Sequence, residues 1–344
     1  MNTLVQQVLI TSDTDLQNTI KVIEQAALQI ALVVDADKRL IGIFTDGDIR
    51  RGLLNGLNLD SPVKQIMNRQ FRFVQEGTKE SEVLALMRRD KLNQIPVLDA
   101  QGRVVNLFLL EEPLQNRALP NPVVIMAGGE RKRLRPLTED CPKPMLKVKG
   151  KPMLETILDR CREAGFQQVY LSVNYLKQQI IDHFGNGSRW GIKIQYLEET
   201  QPLGTAGVLK LLPPTLSLPF LVLNGDVLTQ VPYSALLRFH EEHEAFATVS
   251  VKEHETVIPF GVVETKGTLA SGFQEKPTLS HYVNAGVYAP SPNVLSYLTP
   301  TVPCDMPELL QRLQADNHSV NVFPFHENLL DIGFPESLSA AQNQ

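Results

Sequence analysis

Residues 123–145 read VVIMAGGERKRLRPLTEDCPKPM, and this stretch decides how the larger part of the chain is interpreted. It opens with a four-residue apolar run typical of a buried strand, and Ala127, Gly128 and Gly129 follow directly. Glycine lets backbone N–H groups approach a phosphate closely, because no Cβ intervenes. Several basic residues able to neutralise a polyphosphate come next: Arg131, Lys132, Arg133, Arg135 and Lys143. The stretch therefore predicts a strand that ends in a phosphate-binding turn.

Apolar runs alternate with helix-like segments from this point onward. In order they are VVIM, MLETILDRCREAG, QVYLSVN, YLKQQIIDHFG, IKIQYLEE, the helix-like TAGVLKLL and PFLVLNGD. Such alternation predicts an α/β domain with a Rossmann-like, mainly parallel sheet and helices on both faces. Ligands in such sheets bind beyond the carboxyl ends of the strands, so functional residues are expected there.

The first third of the chain contains an internal repeat. Thr14 aligns with Thr78, and Phe44 aligns with Phe108, at an offset of 64 residues without a gap. Each copy has a helix-like segment followed by two strand-like runs, IALVVDADKRLIGIF in one copy and QIPVLDAQGRVVNLF in the other. We expect a smaller α+β domain over residues 1–118, with repeats at about 1–60 and 61–118. The proline-containing EEPLQNRALPNP then forms a linker to a second domain at 121–344.

Composition limits the classes of function. A chain of 344 residues suits two domains, and a net charge of −5 argues against a nucleic-acid partner. The N-terminus has no basic segment followed by a long apolar stretch, and no run approaches the ~18 apolar residues of a membrane span. Three widely spaced cysteines form no CxxC pair and are typical of reduced thiols. The prediction is a cytoplasmic protein without a membrane segment.

The repeat resembles a pair of cystathionine-β-synthase (CBS) motifs, with LVVD-x-x-x-x-LIGIFTDGDIRR ending the first copy. In that family a Gly-x-x-Thr-x-x-Asp ending often holds the ribose of an adenine nucleotide. The resemblance implies this regulatory role for Gly42, Thr45 and Asp48, whose hydroxyl and carboxylate suit a ribose diol. The second copy has other residues at those positions, namely Asn106, Leu109 and Glu112. A pair that serves only as a scaffold or dimerisation surface is the open alternative.

The string AGG-x-x-x-RL-x-PLT-x-x-x-PKPM-x-x-V-x-GKPM closely resembles the signature of nucleoside-diphosphate-sugar pyrophosphorylases, the sugar-1-phosphate nucleotidyltransferases. The resemblance implies that Arg133 activates and orients a nucleoside triphosphate (NTP) and that Lys143 binds phosphate. A sugar-1-phosphate would attack the α-phosphorus in line and release pyrophosphate. Where the family usually has a glycine, this chain has Arg131, which leaves one position of the nucleotide-binding turn in doubt.

Two aspartates are metal candidates. The apolar run PFLVLNGDVL ends in Asn224-Gly225-Asp226, for which an Asn-Gly hairpin turn is the structural alternative. The family resemblance implies that Asp226 is a Mg²⁺ ligand. A later Asp331-Ile332-Gly333 is similar to the family's DIGTP element and implies that Asp331 is the second ligand. Two carboxylates together with phosphate oxygens form a typical Mg²⁺ site.

Four further segments resemble family motifs in the expected order. In PLGTAG, Gly204 and Thr205 would lie beside the nucleotide base. The sugar phosphate would be held by residues of FGVVE, EKP and NAGVY, which are Gly261, Glu275, Lys276, Asn284 and Gly286. By contrast, the two histidines of HEEH, His240 and His243, are interpreted as a solvated helix face, because no third metal ligand is apparent.

These patterns predict a Mg²⁺-dependent sugar-1-phosphate nucleotidyltransferase that acts on an NTP and a sugar-1-phosphate. The CBS-plus-transferase arrangement resembles bacterial guanylyltransferases of surface-glycan supply, so GTP and a hexose- or hexosamine-1-phosphate are expected. Uridylyl, thymidylyl and cytidylyl transfer stay open. A catalytically silent sensor of nucleotide or NDP-sugar, reporting through the CBS pair, is the alternative from another class. A homo-oligomer is expected, because CBS pairs tend to associate.

Overall fold

The computed structural model describes residues 3–26, 28–90, 92–110, 118–129, 136–325 and 329–331. The chain forms two compact units, Met1–Leu114 and Gln115–Gln344. The domain limits at 118 and 121, expected from the linker, stay a prediction. Among the helices in the described ranges, none combines the length and the apolar character that a membrane crossing requires.

The first unit is built from two copies of one α+β motif. The first copy contains α1 (Thr3–Gln7), β1 (Leu9–Thr11), α2 (Leu16–Ala26), β2 (Ile30–Val34), β3 (Leu40–Thr45) and α3 (Asp46–Leu54). The second contains β4 (Val74–Gln75), α4 (Glu80–Arg89), β5 (Gln94–Leu98) and β6 (Val104–Leu109). Each copy forms a three-stranded sheet, β1-β2-β3 and β4-β5-β6, in which the first pair of strands is parallel and the second antiparallel.

The 64-residue offset of the sequence reappears in the strand registers. Val33 pairs with Gly42 in the first copy and Val97 with Asn106 in the second, and each ladder has an irregularity directly after that pair. The two copies meet at a bridge between Arg39 and its counterpart Arg103. Their strands share one buried cluster, which includes apolar residues of β2 and β6. Each copy therefore covers apolar surface of the other, as the repeat predicted.

The second unit follows the predicted alternation. Its elements are β7 (Val123–Met126), β8 (Lys147–Val148), β9 (Lys151–Pro152), α5 (Met153–Glu163), β10 (Gln168–Val173), α6 (Lys177–Phe184), β11 (Lys193–Glu198), α7 (Gly204–Gly207), β12 (Leu221–Asn224), β13 (Val227–Thr229), α8 (Tyr233–Glu242), β14 (Ala247–Val257), β15 (Val262–Lys266), β16 (Leu269–Gln274), β17 (Thr278–Pro290), α9 (Met306–Ala315), β18 (Val320–Phe325) and β19 (Leu329–Asp331). Short 3₁₀ turns cover Lys143–Met145, Ser188–Trp190, Val208–Leu211 and Pro292–Tyr297.

A seven-stranded sheet runs through this unit in the order β11-β10-β7-β12-β17-β14-β18. Strand β17 is antiparallel to both of its neighbours, and the other neighbouring pairs are parallel. Successive residues of β7 point to opposite faces: Val123 and Ile125 join one buried cluster and Val124 the other. Helices α5, α6 and α8 cover the first face, and α7 and α9 cover the second. The mainly parallel sheet with helices on both faces is confirmed.

Two local expectations differ from the structure. TAGVLKLL, predicted as a helix, forms the single turn α7 and then a 3₁₀ segment. This part of the chain packs against the loop before α9, where an ideal Cβ on Gly207 would lie 3.0 Å from the carbonyl oxygen of Val302. After β12 the chain forms β13, whose partner is the distant β19 rather than β12. The Asn-Gly segment is therefore not the turn of a hairpin.

The solvated-face interpretation of HEEH is wrong for one of its two histidines. His240 is 1% exposed, and its ring nitrogens lie 3.0 Å from the Thr248 and Ser291 hydroxyls. His243 is exposed and stacks on Phe239. Burial lowers the pKa of His240 to about 4. This histidine is therefore a neutral, hydrogen-bonded core residue.

The His240 pKa predicts acid sensitivity. The unfolded chain takes up a proton below the ordinary histidine pKa of about 6.5, whereas the folded chain resists protonation until about pH 4. The free energy of unfolding should therefore decrease as the pH is lowered between those values. This group alone should account for a decrease of roughly 2 kcal/mol at pH 4.5. Urea unfolding at pH 7, 5.5 and 4.5 measures it. His240→Gln should flatten this dependence and exposed His243→Gln should not. An equal slope in all three proteins would contradict the assignment.

Candidate functional site

A cavity of about 390 Å³ opens in the second unit at the carboxyl ends of the parallel strands. Its walls are formed by Met126, Ala127, Gly128, Gly129, Lys143, Pro144, Ser172, Asn174, Tyr175, Glu199, Pro202, Gly204, Thr205, Asn224 and Asp226. These residues lie at the carboxyl ends of β7, β10, β11 and β12, directly after them, or in the loops facing them. The cavity lies where an α/β sheet is expected to bind a ligand.

The glycine turn after β7 forms one wall of this cavity. Ala127 is buried, and its N–H donates to the carbonyl of Ser172 at 3.0 Å, which fixes the start of the turn on the neighbouring strand. A Cβ on Gly128 would lie 2.6 Å from Glu199 Oε1 and 3.2 Å from the Asn174 nitrogen. A side chain at Gly128 would displace the Glu199 carboxylate and press on Asn174, so glycine keeps the two walls close together. Arg131 and Arg133, predicted to follow this turn, lie outside the described residues.

Lys143 and Asp226 form a buried ion pair in the cavity. Lys143 Nζ lies 2.8 Å from Asp226 Oδ2, and the two side chains are 2% and 11% exposed. Gly225 positions the aspartate: its N–H donates to the Met126 carbonyl at 3.0 Å, and a Cβ there would lie 2.6 Å from the same oxygen. A predicted phosphate-binding lysine and a predicted metal ligand thus contact each other directly.

The oxygen atoms of Asp226 and its neighbour suit a hard divalent cation. Asn224 lines the same cavity, and its Oδ1 is buried and has no hydrogen-bond partner among the residues that the structure covers. A carboxylate and an amide oxygen are ligands that Mg²⁺ accepts, usually beside waters and substrate phosphates. The backbone of Asp331 lies opposite Val227, the residue after Asp226. The side chain of Asp331 lies outside the described part. No group of three or more His, Cys, Asp or Glu residues suited to a metal occurs in the described ranges.

Glu199, which the sequence analysis missed, is the second carboxylate among the described residues lining the cavity. It follows β11 and accepts hydrogen bonds from the Ser172 hydroxyl and, at 2.9 Å, from the N–H of Leu203. The carboxylate therefore joins the strand ends to the PLGTAG loop. Asn174 and Asn224 were missed in the same way, although each directly follows or ends a predicted strand, the very position where functional residues were expected.

The PLGTAG loop is held by the segment before α9. Gly204 has φ +75°, and Cys304 O accepts hydrogen bonds from the N–H groups of Ala206 and Gly207 at 2.9 Å each. Thr205 donates through its N–H to Asp305 Oδ1 at 2.9 Å, and its hydroxyl accepts from the Met306 N–H at 2.8 Å. The hydroxyl of Thr205 is thus engaged in fastening the loop, while the residue itself lines the cavity.

The predicted sugar-phosphate residues do not line this cavity. Glu275 and Lys276 are exposed, and Glu275 Oε2 lies 3.0 Å from the position of a Cβ on Gly261. Asn284 contacts the Tyr288 hydroxyl at 2.8 Å and accepts from the Gly286 N–H at 2.9 Å. Gly286 itself packs against the cavity residue Asn224, whose Nδ2 lies 2.5 Å from the position of a Cβ. Their sugar-phosphate roles stay predictions.

The predicted CBS ligand residues have structural partners. Thr45 donates through its N–H and its hydroxyl to Asp48 Oδ2, at 2.8 and 2.7 Å, and Asp48 also pairs with Arg51. Asp48 is 3% exposed. These contacts form a capping box at the start of α3. Gly42 allows the close approach of Met67, whose sulfur lies 2.8 Å from the position of a Cβ.

A cavity of about 370 Å³ lies in the second repeat instead. Its lining includes Thr78, Phe108 and Asn106, the counterpart of Gly42, together with Gln75, Glu76, Gly77, Val97 and Val105. The repeat whose motif departs from the CBS pattern is therefore the one that has this open cleft.

The second unit is an α/β domain whose mainly parallel sheet has helices on both faces. Its cavity at the carboxyl ends of the strands contains a glycine turn and a buried ion pair. Residues 122–344 match the model of the family described as nucleotidyl transferase, and the chain belongs to that family. Residues 5–55 and 63–112 each match the CBS domain, so the first unit is a CBS pair. Both resemblances seen in the sequence are confirmed.

Curated relatives match part of the chain. A protein of Oryza sativa subsp. japonica named probable mannose-1-phosphate guanylyltransferase 1 is 36% identical over 203 residues, which is 56% of this chain and 56% of that protein. A Synechocystis protein named UTP–glucose-1-phosphate uridylyltransferase is 35% identical over 195 residues, or 51% and 50%. The chain thus spans about half the length of these relatives.

Solved structures show the same fold. The crystal structure of HddC from Yersinia pseudotuberculosis is 27% identical with a TM-score of 0.52, and the match covers 65% of this chain and 98% of that one. The same protein complexed with GMP-PN matches with 26% identity and a TM-score of 0.52, with the same shares covered.

Proposed function

We propose that this protein transfers a nucleoside monophosphate from an NTP to a sugar-1-phosphate, releasing pyrophosphate, and that the nucleotide is GTP. The observation that carries the proposal is the cavity at the strand ends. It brings the glycine turn, the phosphate-binding candidate Lys143 and the metal candidate Asp226 together in a chain of the nucleotidyl transferase family. The names of the relatives support a hexose-1-phosphate as the second substrate.

The chemistry requires positioning and charge neutralisation more than covalent participation of the protein. An oxygen of the sugar-1-phosphate forms a bond to the α-phosphorus while the bond to the β-phosphate breaks, so pyrophosphate leaves with the electron pair. Gly128 and Gly129 let the backbone approach the triphosphate. Lys143 supplies one positive charge at close range. Asp226 and Asn224 would hold Mg²⁺, which neutralises phosphate charge when bound.

Glu199 favours guanine over the other bases. Guanine presents two adjacent donors, N1–H and N2–H₂, and a carboxylate accepts two parallel N–H bonds. Uracil and thymine present one donor between two acceptors, which a carboxylate repels. The Glu199 oxygens accept one bond each from Ser172 and Leu203 and keep further lone pairs for a ligand. Glu199 also adjoins the loop assigned to the base by resemblance.

Glu199→Gln should therefore change base preference. The glutamine side chain keeps one acceptor oxygen and has an NH₂ group in place of the other oxygen. One charged hydrogen bond to guanine is therefore lost, and the new NH₂ group faces an N–H donor of the base. We expect the ratio of kcat/KM for GTP to that for UTP to fall about 10–100-fold. Steady-state pyrophosphate release with each NTP measures the ratio.

Glu198→Gln is the matched control, because the neighbouring carboxylate is exposed and pairs with Lys177 at 2.7 Å outside the cavity. It should leave the ratio unchanged. A Glu199→Gln protein with equal losses for all NTPs would show that Glu199 only supports the loop through Ser172 and Leu203.

Pyrophosphate release tests the reaction itself. The full chain with Mg²⁺ is assayed with GTP, UTP, dTTP and CTP against mannose-, glucose- and N-acetylglucosamine-1-phosphate. The proposal expects turnover, fastest with GTP. Preference for another NTP would overturn the base assignment alone. Nucleotide binding without turnover for every pair would overturn the enzyme and favour the silent sensor.

An adenine nucleotide at the CBS pair is part of the proposal, with its ribose at Thr45 and Asp48. Titration of AMP into the full chain should give saturable heat, and Asp48→Asn should weaken binding about tenfold through loss of a charged acceptor. Asn106→Ala in the second-repeat cavity is the comparison. Loss of binding only in Asn106→Ala would move the ligand to the second repeat. No heat from AMP, ADP or ATP would leave a scaffold.

We further propose a homo-oligomer. The two-stranded sheet β15–β16 and the residues before it expose large apolar side chains: Phe260 is 71%, Leu269 73% and Phe273 78% exposed. An isolated two-stranded ribbon is marginally stable in water, and association would cover this surface. Sedimentation equilibrium that gives the mass of one chain at micromolar concentration would overturn this part.

A further inference from the structure

The Lys143–Asp226 pair carries an inference about how a divalent cation and a nucleotide enter the cavity. Lys143 Nζ contacts Asp226 Oδ2 at 2.8 Å, and the lysine side chain is 2% exposed. An ammonium group removed from water needs an anion beside it, and here that anion is Asp226. The carboxylate assigned to the metal is therefore already engaged by a protein cation in the chain without ligands.

We propose that Lys143 keeps divalent cations away from Asp226 until a nucleotide polyphosphate offers the ammonium group another anion. The proposal rests on the proposed function only in taking Asp226 as the metal ligand. An ammonium and a dication on one carboxylate repel each other strongly in a site shielded from water. A triphosphate removes that repulsion, because its charge balances both cations.

Lys143 has few alternatives to Asp226 among the described carboxylates of the cavity. Among the described residues that line the cavity, the other carboxylate is Glu199. Its hydrogen bonds from Ser172 and from the Leu203 N–H hold it in place after β11. A polyphosphate carries more negative charge than a carboxylate and can therefore take over Lys143 and release Asp226, so metal and nucleotide affinities should be positively coupled. By reciprocity, the metal strengthens nucleotide binding by the same factor.

Mn²⁺ binding to the full chain without nucleotide, followed by electron paramagnetic resonance of the free ion, tests the proposal. Lys143→Met keeps much of the side-chain volume and removes the charge. It should bind Mn²⁺ at Asp226 about tenfold or more tightly than the unaltered chain. Lys143→Arg retains a cation and should bind as weakly as the unaltered chain. Lys147→Met, which removes an exposed cation nearby, should do the same.

The double variant Lys143→Met with Asp226→Asn should lose the gained affinity. A gain that survives in the double variant, or no gain in Lys143→Met, overturns the proposal. Thermal unfolding checks that each variant is folded, and Lys143→Gln serves as a second neutral variant judged by the same result. Because this measurement involves no turnover, it is independent of the pyrophosphate assay: a gain in Mn²⁺ affinity without any turnover would refute the proposed function and leave this inference standing.

Discussion

Asp226→Ala is expected to lose both turnover and stability. Without the carboxylate the cavity loses its metal candidate, and we expect kcat/KM to fall roughly a thousandfold or more, about 4 kcal/mol of transition-state stabilisation. The same change removes the carboxylate that pairs with the buried Lys143. Removing one partner of a buried pair typically costs about 3–5 kcal/mol of unfolding free energy. Pyrophosphate release and urea unfolding measure the two effects.

Two controls separate these effects. Glu198→Ala breaks the ion pair with Lys177, in which the lysine side chain is 44% and the glutamate side chain 55% exposed. An exposed ion pair contributes at most about 1 kcal/mol to the free energy of unfolding. The double change Lys143→Met with Asp226→Leu replaces the buried charges by apolar groups, so it should regain much of the stability without turnover. Turnover within tenfold of normal in Asp226→Ala would refute the metal assignment.

Gly204→Ala should destabilise the second unit by about 2–4 kcal/mol. About 1–2 kcal/mol comes from placing a Cβ at φ +75°, and the rest from the forced contact. The new Cβ would lie 2.5 Å from Cys304 O, the acceptor of the Ala206 and Gly207 N–H bonds, and 2.8 Å from Asp305 Oδ1. The loop must shift, so KM for the NTP should rise as well. Urea unfolding and steady-state kinetics measure these losses.

Gly150→Ala is the matched control. Gly150 has φ +81° and no atom within 4 Å of the position of a Cβ, so it isolates the backbone term. Its expected loss is about 1–2 kcal/mol with unchanged kinetics. If the two variants lose equal stability, the close packing at Cys304 does not contribute.

Local patterns predicted those parts of the fold that are decided locally. The 64-residue repeat in the sequence corresponds to matching strand pairs and matching ladder irregularities in the two copies, because both copies have the same pattern of apolar residues. The strand ends that line the cavity followed from alternating strands and helices. The pairing of β13 with β19 joins Val227 to Asp331, far apart in sequence, and no nearby pattern specifies such a partner. The burial of His240 was not predicted, because its charged and polar neighbours in the sequence are typical of an exposed helix face.

The site was predictable where a motif spans several residues. Gly128, Gly204 and Asp226 belong to such strings and lie on one cavity. Glu199 and Asn224 are single residues whose importance depends on what the fold places opposite them. The contact between Lys143 and Asp226 was missed for a different reason: the two had been assigned separate tasks, and only their shared burial shows that each balances the other's charge.

The attachment of the PLGTAG loop to the segment before α9 has a consequence for synthesis. Thr205 bonds to Asp305 and Met306, and Gln201 Nε2 donates to Thr301 O at 2.7 Å, so these contacts join residues about one hundred positions apart. A nascent chain that has passed β13 possesses the glycine turn, Lys143 and Asp226, yet this wall still lacks its support. The ribosome must reach Met306, the first residue of α9, before a growing chain can make these contacts. Ligand-assisted folding would then begin only late in translation.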